Sequence, residues 1–434
     1  MRQAAVCTAL AVSMLVGSAT ARQASDITIG VAGLSNQTPW AASLGNVVAI
    51  AFGAQGPSGR ADVYVAVSRD GGGHFGEPVR VNGAGEEPRL GGELPPRVGL
   101  AARDAHTPEI VVAYGARGQR GTEIRIARSS DGGRTFAASR PLQTSGAAGD
   151  RGWHAMALDS RGVAHVMWLD HRGLAAGRTP QGHHGGEAGH HLDAAAAERE
   201  AIDGVALAQR SGLYYAGDGS GATSERELVK GVCYCCKVAL ATTPRGGLLA
   251  AWRQVYSGNI RDIAFMSSTD GGQHFGTPGR VSVDEWQLAG CPDDGPALTV
   301  DASGAAHIVW PTVIDGPMPE GAIFYASSRD LKTFSARVRV PTLGGPRAMH
   351  PQVMAGPAGR LYIAWDEVIG GVRRAAVRDL RFDDGGRPEF GPARQLGAAD
   401  VPGSYPFLVS TPAGPLALFV SGKPSDTIIR VARF

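Results

Sequence analysis

The sequence predicts an all-β protein, a β-propeller with seven blades. Three observations support this fold: a unit of about 55 to 58 residues recurs along the chain, a short turn motif occurs four times, and turn-forming residues are abundant. The 434 residues include 62 glycines and 27 prolines, as expected for many short strands joined by tight turns. Repetition at this period is typical of propellers, whose blades each contain about four strands.

Each repeated unit consists of a short strand, a turn and an apolar strand that ends in an aromatic residue. The clearest pair is residues 233–252, which align without a gap on residues 291–310. The seven units begin at Pro39, Pro96, His154, Val238, Pro296, Pro351 and Pro406. Their apolar strands end at Phe52, Tyr114, Trp168, Trp252, Trp310, Trp365 and Phe419. Successive units start 55 to 58 residues apart, except for one step of 84 that contains an insert.

The last unit contains only three evident strands, within residues 407–434. The segment 27–31 directly precedes the first unit and can supply the fourth strand of the last one. Pairing the two ends of the chain in this way closes the ring and removes exposed sheet edges. The count favours seven blades, and six is the alternative if the first or last unit is not a blade.

The recurring turn motif follows the pattern S-x-D-x-G-x-T-F. It occupies residues 129–136, and residues 68–75 and 268–275 repeat it with His74 and His274 in the Thr position. A copy one residue shorter without the glycine occupies 328–334. Glycines supply the positive φ of a tight turn, and the aspartate can accept backbone N–H groups within it. We therefore predict structural roles for the four aspartates, which are Asp70, Asp131, Asp270 and Asp330.

The net charge indicates which partners to expect, and the N-terminal sequence indicates where the protein is located. A formal net charge of +2 gives no reason to expect a nucleic acid or a membrane surface as partner. Residues 1–21 resemble a secretory signal peptide, with Arg2, an apolar run over 4–16 and Ala-Thr-Ala at 19–21. That run is too short for a transmembrane segment. We expect an exported protein, periplasmic or extracellular, whose residues 22–434 form a single propeller domain.

The boxes and the strand units between them resemble the Asp-box (BNR-repeat) sialidase superfamily, over nearly the whole mature chain. The resemblance implies that each box joins the third and fourth strands of a blade, on the face opposite the active site. Loops alternate between the two faces of an up-and-down blade. The functional face is therefore expected where the connectors between blades and the loops between second and third strands converge on the central axis.

Polar residues are concentrated in those connectors and loops. We expect them to bind a small molecule, a glycan or a metal ion at the central mouth. The candidate ligand-binding residues are Arg97, His154, Asp170, Arg172, Arg253, Asp294 and His350.

The resemblance also implies a catalytic set, should the protein be an enzyme, namely a glycoside hydrolase of the sialidase type. Sialidases hold the substrate carboxylate with three arginines and use a tyrosine nucleophile paired with a glutamate. Face and residue type match this set to Arg97, Arg253 and Arg347, with Tyr405 as nucleophile and Glu367 as its base. The Phe/Tyr-Arg-Ile-Pro motif of sialidases has no match in this chain. We therefore expect ligand or metal binding without sialidase chemistry, with an exo-α-sialidase acting on terminal sialic acids, or a non-catalytic interaction platform, as alternatives.

Four cysteines follow the signal peptide: Cys233, Cys235, Cys236 and Cys291. Cys233 and Cys291 occupy equivalent positions in adjacent units, so the thiols are expected to cluster at the mouth. One hypothesis is a disulfide between Cys291 and either Cys233 or a neighbouring cysteine, and an intermediate possibility is one such disulfide with two thiols left free. The other is a metal site, for Cu or Zn, that His154 or His350 completes, because thiolates are soft ligands.

The insert, roughly residues 173–199, contains two His-His pairs, 183–184 and 190–191, among glycines. Two interpretations are open. The segment is either a surface loop, or a lid or metal-collecting loop over the mouth.

Overall fold

The computed structural model describes residues 27–103, 107–174, 204–219, 225–288, 292–314 and 320–434. The signal peptide, nearly all of the insert and Cys291 lie outside these ranges. The described strands form seven antiparallel sheets, each built mainly from four strands. The innermost strand of every sheet contacts the innermost strands of both neighbouring sheets, so the seven sheets form a closed ring of blades. The predicted seven-bladed propeller is confirmed.

Blades 1 to 4 are built, from the axis outward, as follows. Blade 1 contains β2 (Ser35–Leu44), β3 (Val47–Gln55), β4 (Ala61–Ser68) and β5 (Val79–Arg80). Blade 2 contains β7 (Arg97–Ala101), β8 (Glu109–Gly118), β9 (Gly121–Ser129) and β10 (Arg140–Pro141), with β6 (Pro88–Arg89) beside β8. Blade 3 contains β11 (Arg151–Leu158), β12 (Ala164–Asp170), β13 (Gly212–Gly217) and β14 (Arg226–Lys230). Blade 4 contains β15 (Ala239–Thr242), β16 (Leu248–Arg253), β17 (Ile263–Ser268) and β18 (Gly279–Arg280).

The remaining blades follow the same order. Blade 5 contains β19 (Ala297–Val300), β20 (Ala306–Ile314), β21 (Glu320–Ser328) and β22 (Val338–Arg339). Blade 6 contains β23 (Ala348–Ala355), β24 (Leu361–Ile369), β25 (Val372–Phe382) and β26 (Pro388–Phe390), with β27 (Arg394–Gln395) also on β25. Blade 7 contains β28 (Ser404–Val409), β29 (Leu416–Lys423), β30 (Asp426–Arg433) and β1 (Ile27–Ile29). Residues 204–210 are helical, and Ser257–Asn259 and Pro357–Gly359 form short 3₁₀ turns. Within the described ranges no helix is long and apolar enough to cross a membrane.

The two ends of the chain close the ring, as predicted. In blade 7, β1 pairs antiparallel with β30, so that Ile27 lies opposite Val431 and Ile29 opposite Ile429. Ile29 is buried in the apolar cluster shared by blades 7 and 1. This pairing covers an edge of β30 that would otherwise expose unpaired backbone groups.

Seven hydrophobic clusters of the described residues are each shared by two adjacent blades. A smaller eighth cluster contains the cysteines. The second strand of each blade supplies its alternate apolar side chains to the clusters on either side, because successive side chains point to opposite faces. The four tryptophans at the ends of these strands, Trp168, Trp252, Trp310 and Trp365, are fully buried. The apolar contacts that hold the ring together therefore lie between blades.

The Asp-box loops connect the third and fourth strands of blades 1, 2, 4 and 5. In the loop of blade 2, Asp131 Oδ1 accepts the backbone N–H groups of Arg134 (2.9 Å) and Thr135 (3.0 Å). Its Oδ2 accepts the Thr135 hydroxyl at 2.6 Å. Gly132 and Gly133 both have positive φ, which the tight turn requires. Because loops alternate between faces, these turns lie on the face opposite the starts of the first strands.

Four blades have a bulge at the start of the first strand. In each bulge the residue before the unit start adopts a left-handed conformation: Thr38 (φ 54°), Trp153 (51°), His350 (51°) and Tyr405 (49°). The strand pairing skips these residues and the ones that follow them. Non-glycine residues in this region of φ are strained by roughly 1–3 kcal/mol each, and such strain is concentrated at functional sites. The bulges carry the residues around the central mouth.

Candidate functional site

A cavity of about 200 Å³ runs along the first strands at the centre of the ring. Trp40, Arg97, Gln352 and Phe407 line it, and each follows directly on the first residue of its unit. The cavity adjoins a smaller pocket at the mouth of the ring, which is the face where the first strands begin. Lys237 lines both the cavity and the pocket. The repeat therefore places the second residue of four units around the same axial cavity.

The mouth contains a buried carboxylate, Asp366, that holds two neighbouring side chains in place. His350 Nδ1 lies 2.8 Å from Asp366 Oδ2, and the Tyr405 backbone N–H donates to the same oxygen at 2.7 Å. Arg373 Nη1 donates to Oδ1 at 2.6 Å. The His350 and Tyr405 rings are 4.0 Å apart, centroid to centroid. Blades 6 and 7 thus present an imidazole and a phenol as a contacting pair.

The charged surroundings set the protonation of this pair. Burial acts to lower the pKa of His350, but the carboxylates of Asp366, Asp294 and Glu93 outweigh burial and raise that pKa. Burial and the carboxylates of Asp366 and Glu93 raise the pKa of the Tyr405 hydroxyl well above its ordinary value. The phenol therefore stays protonated at neutral pH, and only a strongly basic oxygen, such as a departing alkoxide, can take its proton.

Glu93 and Lys237 form a buried ion pair beside the His350–Tyr405 pair. Lys237 Nζ lies 2.7 Å from Glu93 Oε1, and Glu93 Oε2 accepts the backbone N–H groups of Lys237 (3.0 Å) and Gly295 (2.8 Å). Lys237 Nζ is also 3.6 Å from Asp294 Oδ1. Asp294 Oδ2 accepts the backbone N–H of His350 at 2.9 Å. This network ties the connectors of blades 2, 4, 5 and 6 together across the mouth.

Asp293 is the carboxylate of the mouth that titrates near neutral pH. Burial, followed by the nearby carboxylates of Glu93 and Asp294, raises its pKa to about 7. It is only partly buried, and its backbone is left-handed, with φ of 46°. A group with these properties can accept or donate a proton, and it interacts electrostatically with Glu93, His350 and Tyr405.

Arg97 supplies an uncommitted cationic group to the axial cavity. Its Nε donates to the His154 carbonyl at 2.9 Å, and its guanidinium lies 3.6 Å from the centroid of the Trp40 ring. Nη1 and Nη2 are buried and have no hydrogen-bond partner among the described residues. Burial lowers the pKa of Arg97 to about 9, which still leaves it charged at neutral pH. Two unpartnered N–H groups of this kind suit a bidentate anion.

His154, predicted to bind a ligand or a metal, lies behind Arg97. Its Nε2 is 3.2 Å from the Ala113 carbonyl, and its Nδ1 is buried without a partner in the described part of the chain. Burial, helped by the charge of Arg97, lowers the pKa of His154 to about 3. The ring is therefore neutral, and its backbone carbonyl orients Arg97.

Two other predicted ligand-binding residues, Asp170 and Arg172, pair with each other. Arg172 Nη2 lies 2.7 Å from Asp170 Oδ2, and the guanidinium is 4.2 Å from the centroid of the Tyr214 ring. Asp170 also accepts the Trp168 indole N–H at 3.0 Å and lies 3.2 Å from Arg151 Nε. These contacts hold blade 3 together and leave the carboxylate fully engaged.

The glutamate assigned as a base by the sialidase resemblance has other partners. Glu367 accepts the backbone N–H groups of Leu343 (2.6 Å) and Gly345 (2.5 Å), and the Trp365 indole N–H (2.7 Å). The carboxylate that contacts the Tyr405 backbone is Asp366 instead. Adjacent residues of a strand face opposite sides, so Asp366 points to the mouth while Glu367 anchors a connector.

The three arginines of the sialidase assignment are in different environments. Arg253 is buried and donates to the backbone carbonyls of Arg261 (2.9 Å), Asp294 (3.1 Å) and Pro311 (2.8 Å). Arg347 is exposed, and its backbone bridges to blade 5. Arg97 is the one of the three that lines the axial cavity, and there its Nη1 and Nη2 have no partner among the described residues; the buried Arg253 Nε is also without one.

A cluster of cysteines lies beside the mouth, between blades 3 and 4. The Cys233 Sγ is 3.6 Å from Cys236 Sγ and 3.8 Å from Cys235 Sγ, and all three sulfurs lie within 4.8 Å of one another. Cys233 and Cys236 are free thiols, whereas Cys235 is disulfide-bonded. Cys233 itself is therefore not bonded, and the cysteine of this cluster that forms a disulfide is its neighbour Cys235. Arg261 Nη1 donates to the Cys233 sulfur at 3.2 Å.

The electrostatics of the two free thiols differ. A hydrogen bond from Cys236, together with the positive charges of Arg261 and Arg253, lowers the pKa of Cys233. Burial and the neighbouring Cys233 raise the pKa of Cys236. Among the described residues the group of close potential metal ligands contains only the three cysteines, so His154 and His350 are not part of it.

Four side chains of this region were not predicted from the sequence: Trp40, Glu93, Arg261 and Arg373. Trp40 follows Pro39 as Arg97 follows Pro96, so the alignment of the repeated units could have predicted that Trp40 lines the cavity. Glu93, Arg261 and Arg373 lie where the repeat has no fixed position.

Comparison with protein-family models and with curated proteins gave no match. Among solved structures, the chain is similar to an ulvan lyase, from a new family of polysaccharide lyases, bound to -[GlcA(1-4)Rha3S]-. The identity is 12%, 94% of this chain and 96% of that chain are covered, and the TM-score is 0.57. It is also similar to the Hadza microbial sialidase Hz136, at 16% identity, 86% and 73% coverage and a TM-score of 0.46. For the intramolecular trans-sialidase of Ruminococcus gnavus the values are 12%, 94% and 96%, and 0.46. In fold, this chain is a seven-bladed β-propeller, similar to the fold of the ulvan lyase.

Proposed function

We propose that the protein is a carbohydrate-active propeller that cleaves an acidic saccharide by acid–base chemistry at its mouth. The observation that carries this proposal is the unpartnered Arg97 guanidinium, in the cavity that adjoins the His350–Tyr405 pair. A cation there suits a sugar carboxylate, and the pair suits proton transfer beside it. The similar fold of an ulvan lyase that binds a glucuronate-containing saccharide is consistent with this class of substrate.

The residues at the mouth support elimination better than sialidase hydrolysis. A raised pKa makes Tyr405 a poor nucleophile, and Glu367 is engaged by other groups. In the elimination, Asp293 removes the proton from the carbon that bears the carboxylate. A double bond then forms between that carbon and the adjacent ring carbon. The glycosidic C–O bond on the adjacent carbon breaks, and Tyr405 donates a proton to the departing oxygen. Arg97 pairs with the carboxylate while negative charge develops on it.

Ultraviolet absorbance of the unsaturated product tests this proposal. The mature protein is incubated with a panel of uronate-containing polysaccharides, including ulvan, and in parallel with a fluorogenic sialoside. We expect absorbance to rise with at least one polysaccharide and no release from the sialoside. Tyr405→Phe should lower kcat by at least about 100-fold, as is usual for loss of a general acid.

Tyr64→Phe is the matched control, because Tyr64 lies on β4 of blade 1, outside the residues that line the mouth and the axial cavity. It should leave kcat unchanged. Turnover of the sialoside by the wild-type protein would contradict the proposal and restore the sialidase assignment. Full activity of Tyr405→Phe would remove Tyr405 from the mechanism.

We also propose that the cysteine cluster binds a soft metal ion, Cu or Zn. Two sulfurs that each lie about 2.3 Å from a tetrahedral ion are about 3.8 Å apart, close to the 3.6 Å between Cys233 Sγ and Cys236 Sγ. Metal analysis of protein purified without oxygen, with thiol titration beside it, should give about one ion per chain. Two titratable thiols and no ion in any preparation would contradict this proposal.

We propose further that the protein is exported and works in the periplasm or outside the cell. The signal-like residues 1–21 support this, although they lie outside the described part of the chain. Sequencing of the N-terminus of protein recovered from a secreting host should give a mature chain that starts at residue 22. An intact Met1 on the recovered protein would contradict export by this route.

A further inference from the structure

Two buried arginines surround the free thiols between blades 3 and 4. Arg253 and Arg261 are exposed by 1% and 0% respectively. Arg253 directs its N–H groups at three backbone carbonyls, whereas Arg261 directs Nη1 at the sulfur of Cys233. Arg261 Nη2 has no hydrogen-bond partner in the described ranges. The sulfur of Cys233 is therefore the group that the Arg261 guanidinium contacts through Nη1.

A buried guanidinium needs a negative group close to it. An unpaired charge in a protein interior is costly, and a buried pair that loses one partner is strongly destabilised. Two thiolates that hold a divalent ion form a neutral unit, which would leave the charge of Arg261 uncompensated. Two thiolates that hold a monovalent ion carry one negative charge, which Arg261 balances.

The number of free sulfurs leads to the same conclusion. Structural zinc is almost always bound by four protein ligands. In the described ranges, the close ligand group contains three cysteines, and one of them, Cys235, is already committed to a disulfide. Two thiolates are too few for such a zinc site, whereas soft sulfur ligands select Cu(I).

We propose that Cys233 and Cys236 bind one monovalent soft cation of the Cu(I) class, with Arg261 as its buried counter-charge. This inference rests on the proposed metal binding at the cysteine cluster, and it names the ion and the residue that selects its charge. It is independent of the carbohydrate chemistry proposed for the mouth.

Two competition titrations on the mature protein, without oxygen, test the inference. In one, Cu(I) is partitioned between the protein and a chromophoric Cu(I) chelator. In the other, Zn²⁺ is partitioned in the same way against a zinc chromophore. We expect one Cu(I) per chain, bound at least about 100-fold more tightly than Zn²⁺, and loss of that binding in Cys233→Ser and in Cys236→Ser.

Variants of Arg261 test the counter-charge. Arg261→Gln should weaken Cu(I) binding about 10-fold or more, and Arg261→Lys, which keeps the charge, should restore most of the affinity. Arg245→Gln, at an exposed arginine of the same blade, is the control and should have no effect. If Arg261→Gln does not fold, comparison of Arg261→Lys with the wild type still tests the counter-charge, because retained affinity is then required.

The outcomes separate the two proposals. Binding of neither ion would overturn metal binding at the cluster altogether. Zinc bound as tightly as Cu(I), or equal Cu(I) affinity in Arg261→Gln and the wild type, would overturn this inference and leave the metal proposal standing.

Discussion

The aspartates on the two faces of the ring have opposite electrostatics. On the Asp-box face, Asp131 accepts two backbone N–H groups and two hydroxyls, and the pKa of its carboxyl is lowered, chiefly by the hydrogen bonds from Thr135. At the mouth, Asp293 and Asp294 lie close to Glu93, and burial together with these negative charges raises both pKa values. An ionised aspartate therefore stabilises a turn on one face, whereas on the other face its ionised form is electrostatically unfavourable.

This difference separates structural carboxylates from candidate functional ones. A carboxylate that a turn surrounds with N–H donors is satisfied locally, and its ionised form is favoured. Carboxylates that share a buried site with other carboxylates disfavour ionisation, which is the arrangement that places a pKa near neutrality. Substitutions at Asp366, Asp293 and Asp131 test whether the two faces also differ in their contributions to stability.

The largest effect is expected at Asp366, which is fully buried at the mouth. Asp366→Ala removes the partner of the His350 imidazole, the Tyr405 backbone N–H and the Arg373 guanidinium. The free energy of unfolding, measured with chemical denaturant, should fall by about 3–5 kcal/mol because buried charges lose their partner. A loss no larger than that of an Asp-box aspartate would remove the distinction between the faces.

A smaller effect, of opposite sign, is expected at Asp293. Its pKa is about 7 in the folded protein and 3.8 ordinarily, so folding binds a proton between those values. The wild type therefore loses stability as pH rises from about 4 through about 7. Asp293→Asn avoids this loss and tolerates the left-handed backbone. Above pH 7 the variant should be more stable by up to about 4 kcal/mol, less any screening at this partly exposed side chain.

Denaturant unfolding of both proteins at pH 5 and pH 8 measures this difference. The variant's advantage should be larger at pH 8 than at pH 5. An advantage that does not change with pH would mean that Asp293 titrates in its ordinary range.

The smallest effect is expected in the Asp-box of blade 2. Asp131→Ala removes the hydrogen bonds that close the turn, and the unfolding free energy should fall by about 1 kcal/mol. Because the pKa of Asp131 is lowered in the folded protein, its contribution is complete above about pH 4 and is lost at lower pH. Turnover of any substrate identified for the mouth should be unchanged, and a marked loss of turnover would place function on the Asp-box face.

The blades could be predicted from the sequence because each unit repeats the same strand and turn residues. The closing pair of β1 and β30 followed from counting three strands in the last unit. The side chains at the mouth depend instead on the direction in which single residues point. The sequence places Asp366 and Glu367 next to each other, and only the register of β24 decides which one meets Tyr405.

Contacts between connectors that are far apart in the chain could not be predicted from the sequence. Glu93 meets the backbone of Lys237 and Gly295, which lie 144 and 202 residues further along the chain. No local pattern marks such a residue, because the ring alone brings the connectors together. Arg261 is similar, since it follows a 3₁₀ turn in blade 4 and reaches a cysteine 28 residues earlier.

The left-handed residues at the starts of the first strands have a consequence for how this protein can change over evolutionary time. Thr38, Trp153, His350 and Tyr405 occupy the same position in four separate sheets. Each bulge is local to its own sheet, so a substitution there alters one wall of the mouth and leaves the pairing of the other six blades intact. New specificity can therefore arise one blade at a time at Thr38 and Trp153, whereas His350 and Tyr405, whose rings contact each other, are expected to change together.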